Sequence, residues 1–99
     1  MAVMMTMDLP VSRGDVEAVS NAMGVRDTPP KGLISHGVTE TSGGIHVVDL
    51  WESEGDFERF RDAQLLPTME KILAERGVTL EGPPPEPVMV EAFDLVVGR

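Results

Sequence analysis

Two strand-length runs separated by a short glycine-containing turn constrain this chain more than any other feature. The runs are residues 33–40 and 45–52, and Thr41-Ser42-Gly43-Gly44 lies between them. Glycine readily adopts the positive φ angles that tight hairpin turns require. The sequence therefore predicts a β-hairpin in the middle of the chain.

The residues before the hairpin predict a strand followed by a helix. Residues 2–8 are apolar or tolerant of β-structure, and Leu9-Pro10 ends the run. Ser12 and Asp15 resemble a capping box with Asp in place of Glu, and apolar residues then recur at helical spacing as far as Gly24. Residues 27–32, which contain two prolines, predict a connector.

The residues after the hairpin predict a second helix and a last strand. Ser53 can cap a helix whose apolar stripe continues to Gly77, and Pro67 predicts a kink or two short helices that meet near Leu66. Residues 81–87 are rich in proline and predict a stiff, extended connector. Residues 88–97 have apolar side chains at both odd and even positions, which is typical of a strand covered on both faces.

The βαββαβ order predicts an α+β, ferredoxin-like fold: one domain over residues 1–99, with a four-stranded antiparallel sheet and two helices on one face. The helices can cover only one side of the sheet, whereas the hairpin and the last strand are apolar on both sides. A second copy of the same sheet is the simplest cover for the other side. We therefore expect a homodimer.

Charge and composition exclude several classes of partner. The net charge of −9 opposes binding to nucleic acid or to an anionic membrane. The chain has no cysteine, so it cannot form disulfides, thiolate nucleophiles or cysteine-ligated metal sites. The lack of cysteine is compatible with a reducing cytoplasm, where we expect the protein. Its first ten residues make a poor signal peptide, and no window approaches the roughly 18–20 apolar residues of a membrane span.

Alternation along the hairpin predicts which side chains share a face. With a two-residue turn, centred on Ser42-Gly43 or on Gly43-Gly44, one face carries Ile34, His36, Val38, Ile45, Val47, Asp49 and Trp51, and the other carries Leu33, Ser35, Gly37, His46, Val48 and Leu50. His36 lies opposite Asp49 in the first register, and opposite Trp51, with Asp49 diagonal, in the second. A three-residue turn would instead place His36 on the face of His46.

His36 and Asp49 are the candidate catalytic residues. An aspartate beside a histidine fixes the tautomer and raises the basicity of the imidazole, which can then take a proton from a ligand. The structural alternative is that the two polar groups only satisfy each other in the core, and that Trp51 is core packing instead of a stacking surface for an aromatic ligand. A metal site is disfavoured, because only Glu40 shares their face as a third ligand. His46 is expected on the opposite face, in solvent or in an interface.

The run GLISHGVTETSGGIHVVDLWESEGDFERFRDAQLLPTME, of which residues 32–69 are the distinctive part, resembles the dimeric α/β-barrel superfamily. The likeness is to small proteins related to the antibiotic biosynthesis monooxygenase domain. It implies a homodimer with a pocket between each sheet and its helices. Trp51 matches a tryptophan of the monooxygenases near this region, whereas their pocket asparagine has no counterpart, since Asn21 lies on the wrong element. Residues 57–76 lack the histidine of the haem-degrading members, which disfavours haem.

Two functional hypotheses follow. In the first, the protein binds a small apolar or aromatic metabolite and acts on it as a monooxygenase that uses no cofactor. His36 is the base and Asp49 is its orienting group. The substrate-binding residues in the pocket are Trp51, Phe57 and Phe60. In the second, it is a non-catalytic dimeric ligand-binding or stress-associated module whose interior is closed by packing of Trp51, Phe57 and Phe60. A cavity of several hundred cubic ångströms that reaches His36 favours the first hypothesis, and a filled interior favours the second.

Overall fold

A computed structural model describes residues 2–82 and 86–98 of the chain. Four strands pair in the order β2 (Leu33–Thr41), β3 (Gly44–Trp51), β1 (Val3–Leu9) and β4 (Val88–Glu91), and every pair is antiparallel. This topology confirms the predicted ferredoxin-like α+β fold. The elements are β1 (Val3–Leu9), α1 (Arg13–Met23), β2 (Leu33–Thr41), β3 (Gly44–Trp51), α2 (Glu54–Phe60), α3 (Leu66–Glu75) and β4 (Val88–Glu91).

Helix α1 begins and ends where the sequence predicts. The hydroxyl oxygen of Ser12 accepts a hydrogen bond from the backbone N–H of Asp15 at 3.1 Å, and the Asp15 carboxylate accepts one from the backbone N–H of Ser12 at 3.0 Å. Gly24 ends the helix in the left-handed conformation, with φ 68°. Asp15 is buried and also accepts a hydrogen bond from Arg76 at 2.7 Å, so the same residue ties α1 to the end of α3.

The second helical region contains the interruption predicted at Pro67. Ser53 caps α2, and a π-helical turn over Arg61–Leu65 separates α2 from α3, which begins at Leu66. A proline lacks the backbone N–H that an α-helix would use and its ring crowds the preceding turn, so a locally wider turn accommodates it. Among the described residues, no helix is long and apolar enough to cross a membrane.

The last strand is shorter than predicted. β4 pairs with β1 only from Val88 to Glu91, so the prediction of a strand over residues 88–97 was wrong for residues 92–97. Val3, the first residue of β1, pairs with Glu91, and the backbone N–H of Ala92 then donates to the carbonyl of Ala2, just before β1. Among the described residues the pairing therefore stops where β1 begins, and the Phe93 side chain beyond it is almost fully exposed. Residues 83–85 of the proline-rich connector lie outside the described part of the chain.

The two faces of the sheet differ in burial. The face toward the helices carries the core, which is built from Met5, Leu9, Val11, Ile45, Val47, Trp51, Phe57 and Leu73. The opposite face, called the outer face below, is also apolar but is exposed, and its large side chains include Met4, Val48, Val88 and Val90. The helices therefore cover one side of the sheet, as the sequence predicts, and no described residue of the chain packs over the large exposed side chains of the other.

Candidate functional site

The hairpin register decides whether the candidate residues meet. Thr41 pairs with Gly44 and His36 pairs with Asp49, so the turn has Ser42 and Gly43 at its centre. This is the first of the two registers predicted above, and the three-residue turn is excluded. The positive φ angle lies at Gly44 (148°), beside the end of β1, and not at Gly43.

A β-bulge at the start of β2 changes which side chains share a face of the sheet there, relative to the prediction. Leu33 pairs with Trp51 and Ser35 pairs with Leu50, which leaves Ile34 as an extra residue without a partner in β3. Leu33 therefore shares the helix-facing side with Trp51, and the prediction that placed Leu33 on the other face was wrong. From Ser35 onward the alternation is as predicted.

His36, Asp49 and Trp51 form a connected hydrogen-bond group on the helix-facing side. Nδ1 of His36 lies 2.6 Å from Oδ1 of Asp49, and the indole N–H of Trp51 donates to Oδ2 of Asp49 at 3.1 Å. Asp49 and Trp51 are 5% and 1% exposed, whereas 41% of the His36 side chain is exposed. A carboxylate accepts only, so Nδ1 of His36 carries the proton, and the second ring nitrogen, Nε2, is left to accept one from a ligand.

The surroundings of His36 make its imidazole a stronger base. The hydrogen bond that His36 donates to Asp49 is the largest influence and raises the pKa of His36 above its ordinary value of 6.5, and the carboxylate charge acts in the same direction. Partial burial and the positive charge of Arg26 oppose this rise in pKa but do not cancel it. Asp49 therefore both orients the imidazole and increases its affinity for a proton.

We predict that Asp49→Asn lowers the pKa of His36. The amide keeps the shape of the side chain but removes the charge and the strong acceptor. Because the pKa of His36 is raised by folding, the pair contributes its full stabilisation below about pH 6.5, the unfolded value. This stabilisation is lost as the pH rises through the folded pKa, so the variant should lose more free energy of unfolding at pH 5.5 than at pH 9.

The measurement is a proton NMR titration of the two histidine ring signals, assigned with His46→Gln. Asp8→Asn is the matched control, because Asp8 makes the equivalent contact with His46, 2.7 Å away on the outer face. An unchanged His36 titration in Asp49→Asn would show that the carboxylate does not set the basicity of the imidazole.

A cavity of about 280 Å³ lies between the sheet and the helices. Its walls are almost entirely apolar and include side chains from β1, α1, the α1–β2 connector and α3, for example Met5, Val19, Pro30 and Met69. All five sequence-predicted residues line this cavity: His36, Asp49, Trp51, Phe57 and Phe60. The volume is close to the lower end of the range of about 300–1,000 Å³ for small-ligand pockets.

The aromatic residues pack against one another without filling the interior. The ring centroid of Trp51 lies 5.6 Å from that of Phe57, edge to face, and 5.6 Å from that of Phe60. This mutual packing was expected from the hypothesis of a closed interior, yet the cavity persists beside it. Trp51 is therefore both core packing and part of the cavity wall.

A groove at the open side of the cavity was not anticipated from the sequence. It has a volume of about 610 Å³, runs along α1 and β2, and shares seven lining residues with the cavity, among them Arg26, His36 and Val38. The shared residues show that the two spaces adjoin at His36. Arg26 belongs to the α1–β2 connector, where the sequence showed only turn residues and gave no sign that the connector faces a site.

The remaining candidates lie elsewhere. His46 is on the outer face, as predicted, and Asn21 is an exposed residue of α1. Glu40 lies at the rim of the groove, with a carboxylate oxygen 3.7 Å from Arg13. Within residues 2–82 and 86–98, no group of three or more His, Cys, Asp or Glu side chains has an arrangement suited to a metal ion.

Several proteins of known structure have a fold similar to that of this chain. No protein-family model matches the chain, and no curated protein sequence matches it. A candidate antibiotic biosynthesis monooxygenase from Deinococcus radiodurans has a similar structure, with a TM-score of 0.62 and 14% identity over 97% of this chain and 96% of that one.

Two further structures are similar over nearly their whole lengths. A protein from Mycobacterium tuberculosis has a TM-score of 0.55 and 21% identity, with 97% of each chain covered. SnoaB, a cofactor-independent oxygenase from Streptomyces nogalater, has a TM-score of 0.57 and 12% identity, covering 96% of this chain and 94% of SnoaB. These likenesses confirm, at the level of the fold, the resemblance to the antibiotic biosynthesis monooxygenase-like proteins.

Proposed function

We propose that this protein binds a small aromatic or polyketide-like metabolite in the cavity and oxygenates it without a cofactor. The observation that carries the proposal is the placement of an aspartate-held histidine in the wall of an otherwise apolar cavity. The apolar walls favour an aromatic body, and the imidazole selects a ligand that presents an acidic hydroxyl group. The fold shared with SnoaB, a cofactor-independent oxygenase, is consistent with this chemistry.

His36 acts as the general base in this proposal. Its Nε2 accepts the proton of a phenol that enters the cavity from the groove, while Asp49 stabilises the imidazolium that forms. Trp51 contributes in two ways: its indole N–H holds the second oxygen of Asp49, and its ring forms part of the wall against which the ligand packs. Phe57 and Phe60 complete this aromatic wall.

Molecular oxygen supplies both the oxidant and the inserted atom. The para carbon of the phenolate gives two electrons to O₂ and forms a C–O bond, and the resulting peroxide takes the proton held by His36. Loss of the hydrogen on that carbon and cleavage of the O–O bond release one water and leave a carbonyl group. A phenol with a free para position plus O₂ thus gives a quinone plus water, with every atom and electron accounted for.

The test uses 1-naphthol, a two-ring phenol with a free para position. Isothermal titration calorimetry measures its binding, and an oxygen electrode with product analysis measures its conversion to 1,4-naphthoquinone. We expect saturable binding and one O₂ consumed for each quinone formed. Absence of binding would contradict the proposal as a whole.

A non-catalytic binding module is the second candidate. The contacts of Trp51 with Phe57 and Phe60 favour it, because they make part of the interior a packed core instead of open space. Binding of 1-naphthol with no oxygen uptake above the buffer rate would select this candidate over the monooxygenase.

We also propose that the outer face is covered by a second copy of the chain. Met4, Val48, Val88 and Val90 all lie on this face with about 40% or more of their surface exposed, an apolar patch that a monomer would leave in water. Identical sheets can bury such a patch against each other around a two-fold axis. Sedimentation equilibrium should therefore give twice the chain mass of 10.7 kDa, and a mass of one chain at micromolar concentration would contradict the dimer.

A further inference from the structure

Arg26 stands out from the other charged residues around the cavity and its groove because no residue in the described part of the chain is its ionic partner. The acidic residues that line these spaces are all engaged: Asp15 with Arg76, Asp49 with His36, and Glu17 and Glu40 with Arg13. Among residues 2–82 and 86–98, no carboxylate lies within 4.0 Å of the Arg26 guanidinium, so Arg26 forms no salt bridge there.

The position of Arg26 gives it access to a ligand of the cavity. It lines both the cavity and the groove, and it shares both linings with His36. Its positive charge is close enough to oppose the rise in the pKa of His36. A ligand in these spaces can therefore place a hydroxyl group at His36 and a second polar substituent at this guanidinium.

We propose that Arg26 recognises a carboxylate on the ligand, so that the substrate class is an aromatic hydroxy acid: an apolar ring system with one hydroxyl at His36 and one anionic group at Arg26. This inference rests on the proposed function and adds the anionic group to it. A guanidinium binds a carboxylate with two charge-assisted hydrogen bonds. In a chain of net charge −9, which repels anions in general, an arginine at the mouth gives a local site for one.

Arg13, the other arginine of the groove, does not serve this role. Its Nε donates to Glu17 at 2.9 Å, and its guanidinium also lies 3.7 Å from Glu40, so its charge is already balanced. The ligand carboxylate is therefore expected at the connector end of the groove, beside Arg26, and not at the Arg13 end.

The experiment compares 1-naphthol with 5-hydroxy-1-naphthoate, the same phenol with a carboxylate on its second ring. Calorimetry on the full chain at low salt is expected to give about tenfold tighter binding for the carboxylate form, the size of one additional charge-assisted contact. Arg26→Gln should abolish this preference, so that the variant binds the two probes with affinities within about twofold of each other. Lys71→Gln is the control, because it removes the same charge from an exposed position on α3 outside both linings.

The possible outcomes separate this inference from the function on which it rests. Tighter binding of the carboxylate form by the wild-type protein and Lys71→Gln, but not by Arg26→Gln, supports the assignment. Equal binding of the two probes by the wild-type protein, or a preference that survives Arg26→Gln, overturns the role of Arg26 while the proposed function stands. If the wild-type protein binds neither probe, the proposed function fails and this inference fails with it.

Discussion

Replacing His36 by Gln is expected to lower the rate of oxygen-dependent conversion of 1-naphthol by about 10²–10⁴-fold, the usual contribution of a positioned general base. Glutamine retains a hydrogen-bonding side chain of similar size but cannot take the phenolic proton. The affinity for 1-naphthol should change by only about threefold, because glutamine is of similar size and the apolar side chains that hold the ring are unchanged. The effect therefore appears in kcat and not in the binding constant.

The pH profile separates a base from a structural residue. The wild-type rate should rise with pH as His36 loses its proton, through a pKa above 6.5, and Asp49→Asn should move this rise to lower pH while reducing the maximum rate. His46→Gln is the matched control, because it removes the other histidine, which lies on the outer face. A His36→Gln protein that binds 1-naphthol and turns it over at the wild-type rate would contradict the assignment of His36 as the base.

The second large effect is expected from Gly44→Ala, which should lower the free energy of unfolding by about 2–4 kcal/mol. A Cβ at this position would lie 2.1 Å from the carbonyl oxygen of Leu9 and 2.9 Å from the Cα of Pro10. Both atoms belong to the backbone, so no side chain can rotate to relieve the contact, and the φ of 148° is itself unfavourable for alanine. The change would force β1 and β3 apart at the end of the hairpin.

Gly43→Ala is the control for this prediction. Gly43 is the adjacent turn residue, has no positive φ, and an added Cβ there would meet no atom within 4 Å. Thermal and urea denaturation should therefore place Gly43→Ala within about 0.5 kcal/mol of the wild type, as for ordinary surface changes. If the two alanine variants are equally stable, the close approach of Gly44 to β1 does not exist in solution.

The hairpin shows how much of the site could be predicted from the sequence. The placement of His36 and Asp49 on one face follows from strand alternation and from a two-residue turn, both of which depend on local residue types. The sequence left two registers open, and only the structure shows that His36 pairs with Asp49 and not with Trp51. The bulge at Ile34 could not be predicted, because Leu33 and Ile34 are both apolar and either one is acceptable on the buried face. The position of the bulge depends on how β2 meets the connector and the end of β3, which is tertiary information.

The length of the last strand and the presence of the groove could not be predicted from the sequence, for related reasons. The apolar pattern of residues 88–97 indicates which residues could form a strand, but the pairing itself extends only from Val88 to Glu91, opposite residues 3–6 of β1. Similarly, the sequence shows Arg26 only as a charged residue beside the predicted connector of residues 27–32. Only the packing of that connector over the cavity reveals that it borders the site.

The central claim is that a phenol enters the cavity and meets the free nitrogen of His36, and a crystal structure of the protein with 1-naphthol tests it most directly. We expect the naphthol ring to lie between the sheet and the helices. Its hydroxyl oxygen should be about 2.6–3.2 Å from Nε2 of His36, a distance that allows proton transfer. The same structure should retain the contact between Nδ1 of His36 and Asp49. Naphthol bound only outside the cavity, or inside it with its hydroxyl directed away from His36, would contradict the account.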